Sequence, residues 1–254
     1  MLAIQRRVLW FTTKEIYFSD APVDIDGCSH VEFHYCTKDE SYEGFHQTVE
    51  YSLEIDLSDT EETLFSQMKK NTRNHIRGAK NQGVIITQSN DFIPFYTMYT
   101  TLFKQKGLTS LGNRFGIGKL IPRSVLERYG TLFYAHYNGD IIVGDIYLEG
   151  TDSVFSWAGA SPRLHVDKTL QKVISRAERL CVWHAMQYYK SHGKRLFDLG
   201  GMWPEQEAKN SPMKKGINSY KKGFGGTIVK RYAYQKTYSP LYRLFSNTHT
   251  RLIS

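Results

Sequence analysis

The stretch TLFYAHYNGDIIVGDIYLEGTDSVFSWAGAS, residues 131–161, decides the fold. Three runs of apolar, β-branched and aromatic residues follow one another with turn residues between them. Asn138-Gly139 joins the first two runs and is the strongest two-residue hairpin signal. The sequence EGTD, residues 149–152, turns the chain into the third run, SVFSWAGAS. The stretch reads as a three-strand meander.

On its C-terminal side the period changes from 2 to 3.6. Leu170, Val173, Ile174, Ala177, Cys181, His184 and Tyr188 form one stripe of a long helix from about Lys168 to Ser191. Asp167 suits its N-cap and Gly193 its C′ position. RLFDLGG (195–201) is a strand that ends in a turn, and TIVKRYAYQK (227–236) is another strand. On the N-terminal side lie a short strand, Val84 to Gln88, a helix from about Asp91 to Lys106 and a short helix near Pro122 to Tyr129. The order from Val84 is strand, helix, helix, three strands, long helix, strand, short helix, strand. It defines an α/β protein with a mixed β-sheet flanked by helices.

Residues 1–82 read as an N-terminal strand-rich partial subdomain that ends in a basic helix. In TVEYSLEIDL, Val49, Tyr51, Leu53, Ile55 and Leu57 share one face; in HVEFHYC, Val31, Phe33 and Tyr35 do. One helix then runs to Gly83, with Ser58 or Asp59 as N-cap and Glu61 and Glu62 in its first turn, where the dipole favours them. Lys69, Arg73, Arg77 and Lys80 line one side of it, with no acidic residue at i−4 or i+4. The expected domains are therefore 1–82 and 83–254.

Lys and Arg total 33 against 25 Asp and Glu, a net charge of +8, which suits an anionic partner: nucleic acid, nucleotide or lipid headgroup. No apolar run reaches the roughly 20 residues that span a membrane. The start MLAIQRRVLWF lacks the pattern of a signal peptide. Three cysteines, Cys28, Cys36 and Cys181, are sparse and odd in number, which fits reduced thiols and a cytoplasmic location. Cys28, His30, His34 and Cys36 have metal-ligand chemistry, but extended they span about 26 Å at roughly 3.3 Å per residue, against bonds of about 2.0–2.3 Å to one zinc ion. We expect no metal site.

The element order resembles the GNAT acyltransferase fold. LSDTEETLFSQMKKNTRNHIRGAKNQGV, SWAGAS, RLFDLGG and SYKKGFGG resemble blocks of the Fem family, the aminoacyltransferases that build peptidoglycan side bridges; the last often reads aromatic-Lys-x-Gly-Phe-Gly. The resemblance covers about Ser58 to Tyr234, and the chain is similar to a short, single-domain relative whose residues 1–57 look like a truncated first subdomain. It implies an acyltransferase whose donor is an aminoacyl-tRNA or an acyl-CoA and whose acceptor is an amine-bearing phosphorylated molecule, plausibly a cell-wall precursor, with no tightly bound cofactor. An anionic membrane surface is a further expected contact. A non-catalytic, RNA-binding module on the same fold is the reading from another class.

Tyr220 and Lys221 match the aromatic-Lys pair. The resemblance places that lysine near the acyl donor, where a fixed ammonium stabilises an oxyanion. Composition alone makes SYKKGFGG a basic loop, with Phe224 as its core anchor and Lys222 solvated or touching phosphate. Arg73, Arg77 and Lys69 are candidate phosphate contacts or an ordinary solvated helix face. Trp157 and Gly159 stand where the GNAT acyl-binding strand lies; core packing is the alternative. Asp198, the best-placed carboxylate, either serves the acceptor amine as base or caps the LGG turn. Tyr134, Asp145 and Tyr147 are weaker cleft candidates. After SWAGAS a coenzyme A enzyme carries a glycine-rich pyrophosphate loop before the helix; here ASPRLHVDKTLQ has no glycine and puts Asp167 at that place, although Arg163, His165 and Lys168 are basic. NRFGIGK (113–119) contains Gly-x-Gly but precedes the meander, so it reads as a loop whose Arg114 and Lys119 face substrate at most.

Overall fold

The computed structural model describes residues 1–105 and 120–244, so Lys106, Arg114 and Lys119 lie outside the described residues. The chain forms two compact units: residues 1–50, 103–129 and 230–254, and residues 51–102 with 130–229. Neither is a continuous span.

In the first unit, strands β1 (Leu2–Val8), β2 (Phe11–Tyr17), β3 (His30–Cys36) and the end of β10 (Thr227–Thr237) lie in that order. β2 and β3 are parallel and the other pairs antiparallel. Ile16, Val31, Phe33, Cys36, Tyr232 and Tyr234 form its core. Tyr35 was expected to share the inward face with Val31 and Phe33. Its φ of 57° breaks the alternation, and Cys36 takes the buried place instead. His30 and His34 each face Glu32, and the Cys28 thiol donates to the Ile25 carbonyl. Among the described residues no group of three or more His, Cys, Asp or Glu side chains is placed to hold a metal ion.

The second unit contains six strands in the order β4 (His46–Asp56), β9 (Leu196–Gly201), β8 (Ser153–Ala160), β7 (Asp140–Glu149), β6 (Gly130–Tyr137), β5 (Ile85–Ser89), of which β4 contributes its second half. Only β8 and β9 run parallel, so the sheet is mixed. The meander is β6–β8. Asn138 (φ 53°) and Gly139 (φ 89°) take the two positive angles that a type I′ turn demands. In β4, Leu53 and Ile55 are buried in the core, as is Leu57 just after its end, but Val49 is exposed.

The 24-residue helix Lys168–Ser191 makes the crossover that parallel strands require. Asp167 caps it: one carboxylate oxygen accepts from the N–H groups of Thr169 (2.7 Å) and Leu170 (2.9 Å). Val173, Ile174, Ala177 and Cys181 face the core as the stripe requires, while Leu170, His184 and Tyr188 sit at its margin. Leu180, Val182, Trp183 and Met186 are buried as well, because a second layer of helices covers the other side.

That layer corrects the single helix expected over 58–82. Helix α1 (Glu61–Gln67) ends at Met68, which is extended, and α2 (Lys70–Asn81) starts after it. The cap of α1 is Thr60, whose hydroxyl accepts the Thr63 N–H; Asp59 instead holds the Gln67 amide. The Arg73 guanidinium donates to the carbonyls of Ser66 (2.6 Å) and Met68 (2.5 Å), groups that the end of a helix leaves without intrahelical partners. The broken helix is thus stitched by a residue of the basic ridge. The remaining helices are α3 (Ile93–Gln105), α4 (Arg123–Tyr129), α5 (the long helix Lys168–Ser191), α6 (Glu205–Lys209) and α7 (Pro212–Lys221).

Candidate active site

β8 and β9 pair over three residues, Ser153↔Leu196, Val154↔Phe197 and Phe155↔Asp198, and their ladder stops there. Beyond it Trp157 and Ala158 are half-buried and Gly159 is exposed. The opening has an identifiable support at its base. Gly200 (φ 75°) lets β9 turn where any side chain would come 3.2 Å from the Phe155 ring. Gly159 is equally constrained, since a Cβ there would lie 2.8 Å from the Asp145 carboxylate across the β7–β8 pair.

Asp198 stands at the point where the ladder opens. One carboxylate oxygen accepts from the Gly200 N–H at 2.7 Å and from the Ser52 hydroxyl. It therefore caps the LGG turn, one of its two expected roles. Burial pushes its pKa up to about 6, opposed by those hydrogen bonds and by Lys221. The Lys221 ammonium donates to the Gly201 carbonyl at 2.8 Å, at the end of β9. Burial pulls it down to about 8, with Asp198 acting in the opposite direction. A half-buried ammonium and a buried carboxylate thus bias each other's ionisation, without an ion pair, where the two strands part.

The segment SYKKGFGG is not a loop. Ser211 caps α7 by accepting the Lys214 N–H, and Pro212 occupies its first turn. Tyr220 and Lys221 are the last helical residues, and Lys222–Phe224 form a 3-10 turn. Gly216 and Asn218, weak helix formers, conceal this in the sequence. Asn218 is buried and grips the Trp203 backbone twice: its Oδ1 accepts the Trp203 N–H at 3.0 Å and its Nδ2 donates to the Trp203 carbonyl at 2.8 Å. Gly226 (φ 79°) passes so close to β4 that a Cβ would stand 2.4 Å from the Glu54 carbonyl. The Lys69 N–H donates to the Gly223 carbonyl at 2.9 Å, so the basic segment and the lysine-glycine segment meet through backbone.

The other expected site residues have definite places. Tyr220 packs its ring on Phe224 and under the Arg179 guanidinium, 4.9 Å away. Phe224 is buried in the core, as an anchor. Arg77 lies over the Phe65 ring at 5.1 Å, and Lys69 is exposed. Tyr134 belongs to the scaffold: its hydroxyl donates to the Asp91 carbonyl (2.7 Å) and accepts the Phe95 N–H (2.9 Å), tying down the start of α3. Tyr147 is buried among aromatic rings.

A second group of acids lies below Gly159. Burial pushes Asp145 up to about 7, against a hydrogen bond from the Cys181 thiol. Glu178, raised by burial, accepts from the Ser161 hydroxyl at 3.2 Å and lies 3.9 Å from Arg163. Both carboxylates help to raise the Tyr220 hydroxyl. Burial and the adjacent Asp145 push the Cys181 thiol well up, so it is a poor nucleophile. Glu178 and Ser52 escaped the sequence reading. The one available signal for Glu178 was a charged residue beside Ala177 on the buried side of a long helix.

The fold has solved counterparts. The chain superposes on FemX with a TM-score of 0.59 at 12% identity, covering 95% of this chain and 85% of that one. It also superposes on the C-terminal domain of a putative lysylphosphatidylglycerol synthetase from Agrobacterium fabrum (TM-score 0.53, 10% identity, 92% of this chain and 80% of that one). L-PGS from Bacillus licheniformis gives 0.52 at 12% identity over 99% of this chain and 85% of that one. No protein-family model and no curated protein sequence matches the chain. The likeness is one of fold: the mixed sheet flanked by helices is shared with FemX and with these two domains. The likeness extends beyond residues 58–234, where the sequence blocks lie, into the segments on either side. Among the described residues, no helix is long and apolar enough to cross a membrane.

Proposed function

We propose that the protein is an N-acyltransferase that moves an aminoacyl group from aminoacyl-tRNA to the amine of a phosphorylated acceptor, a cell-envelope precursor. The observation that carries the reading is the Lys221–Asp198 pair at the mouth of the β8/β9 opening. The acceptor nitrogen attacks the acyl carbonyl, and a C–N bond forms as the C–O bond to the ribose breaks. Lys221 stabilises the oxyanion that develops on the carbonyl oxygen. Asp198 takes the proton that the amine must lose, and that proton is returned to the ribose oxygen as it leaves as a hydroxyl. Direct attack needs no covalent intermediate, in keeping with the buried, high-pKa thiol of Cys181. The name of the putative lysylphosphatidylglycerol synthetase pairs an amino acid with a lipid headgroup, which supports an aminoacyl donor and adds lipid-linked molecules to the acceptors worth testing.

An acyl-CoA donor is the competing reading. It is disfavoured by Asp167, which occupies the two N–H groups that would meet a pyrophosphate at the start of α5 and adds negative charge there. Incubation with labelled aminoacyl-tRNA or acetyl-CoA and a panel of amines and lipids separates the two. Lys221→Ala is expected to lower kcat about 10²- to 10³-fold. Undiminished transfer in that variant would remove the assigned role.

A further inference from the structure

A concavity of about 490 Å³ lies against α2 and the first turns of α5. Five of its lining side chains are basic: His75, Arg163, Lys168, Lys172 and Arg176; the others, Gln171 and Ser175, are neutral. Arg163 reaches Glu178 at 3.9 Å; among the described residues no ion pair joins Lys168, Lys172 or Arg176 to a carboxylate. These three occupy positions i, i+4 and i+8 of one helix, so they share a face and are spaced by one turn each, about 12 Å in all. Arg176 is laid along α2 by Gly78, where an added Cβ would approach its Cδ to 3.4 Å. The His75 Nδ1 is buried without a hydrogen-bond partner. Burial, Arg179 and Arg176 hold this imidazole below its usual pKa. An arriving anion would reverse the sign of that field.

Uncompensated positive charge spaced along a helix recognises a chain of anions rather than a single one. A pyrophosphate is too short to span the three residues, and the backbone donors it normally uses at the helix start are filled by Asp167. We propose that this concavity binds the sugar-phosphate backbone of an RNA strand, with Lys168, Lys172 and Arg176 on successive phosphates and His75 as a further hydrogen-bond donor. The inference rests on the aminoacyl-tRNA reading for its biological sense, but its chemistry can be tested separately.

The test is fluorescence anisotropy of the full chain with a labelled, uncharged RNA minihelix that has an acceptor-type stem and a single-stranded 3′ end, across a salt series. Each of Lys168→Ala, Lys172→Ala and Arg176→Ala should flatten the slope of log K against log salt by about 0.7–0.9. The triple variant should bind roughly 100-fold more weakly at low salt. Lys168 and Lys172 are exposed, so their removal leaves the core untouched; equal melting curves would confirm it. A triple variant that keeps the wild-type slope overturns the proposal. So does binding of coenzyme A that displaces the RNA and is itself lost in the triple variant, which would make the concavity a pyrophosphate site. If no donor supports transfer, the binding slopes still decide the RNA site; if the slopes do not change, transfer that depends on Lys221 still stands.

Discussion

At the scale of single residues, the site turns on how burial changes two side chains. In the proposed mechanism, Asp198 must be ionised to accept a proton, and Lys221 must be protonated to stabilise an oxyanion. Their values of about 6 and about 8 leave a window between them in which both conditions hold. The profile of kcat/KM against pH should therefore be a bell, rising through about 6 and falling through about 8. Lys221→Ala should flatten the alkaline limb of the residual activity, and Asp198→Asn the acid limb. A profile unchanged in shape by both substitutions would assign the limbs to other groups. Lys221 was legible in the sequence because it follows an aromatic residue and precedes Gly-Phe-Gly. Its partial desolvation was not, because that depends on β9, whose last residue lies 20 residues away in the chain.

At the scale of elements, the meander and the long helix read cleanly and the helix over 58–82 did not. The meander and the long helix carry strong periodicity and unambiguous punctuation, so their positions follow from local chemistry. The helix expected over 58–82 breaks at Met68 because Arg73 satisfies carbonyls at the end of α1 and Thr72 packs under Gly223, contacts between residues whose spacing shows nothing unusual. Glycines make the point quantitatively. Gly226 and Gly193 have nearly the same φ, 79° and 78°, but a Cβ on Gly226 would collide with the Glu54 carbonyl, whereas one on Gly193 meets nothing within 4 Å. Gly193→Ala should cost about 1 kcal/mol, the penalty of a left-handed alanine. Gly226→Ala should cost several times that, or prevent soluble expression, as read from urea midpoints. Equal costs would show that β4 moves aside easily. The cap of α5 supports another expectation. Asp167→Ala should lower stability by about 1 kcal/mol. It also frees two N–H groups, so calorimetry should detect coenzyme A binding in the variant and not in the wild type. Equal coenzyme A affinity in the two proteins would mean that the cap does not exclude it.

At the scale of the molecule, the net charge of +8 predicts an anionic partner, and the tertiary structure concentrates unpaired positive charge along one side of α5. Legible from the sequence alone were the meander, the cap and course of α5 and the strands that follow it, but not the break at Met68 or the helix that ends at Lys221. The legible features rest on local periodicity, turn chemistry and short spacings, which act within a few residues. Only the tertiary structure decided where β8 parts from β9, that Arg73 is framework, and that Asp198 and Lys221 come together at the end of β9. It also decided that His75 joins four basic residues of a distant segment. Burial and electrostatic fields are set by residues far apart along the chain, so no reading of spacing in one segment can supply them.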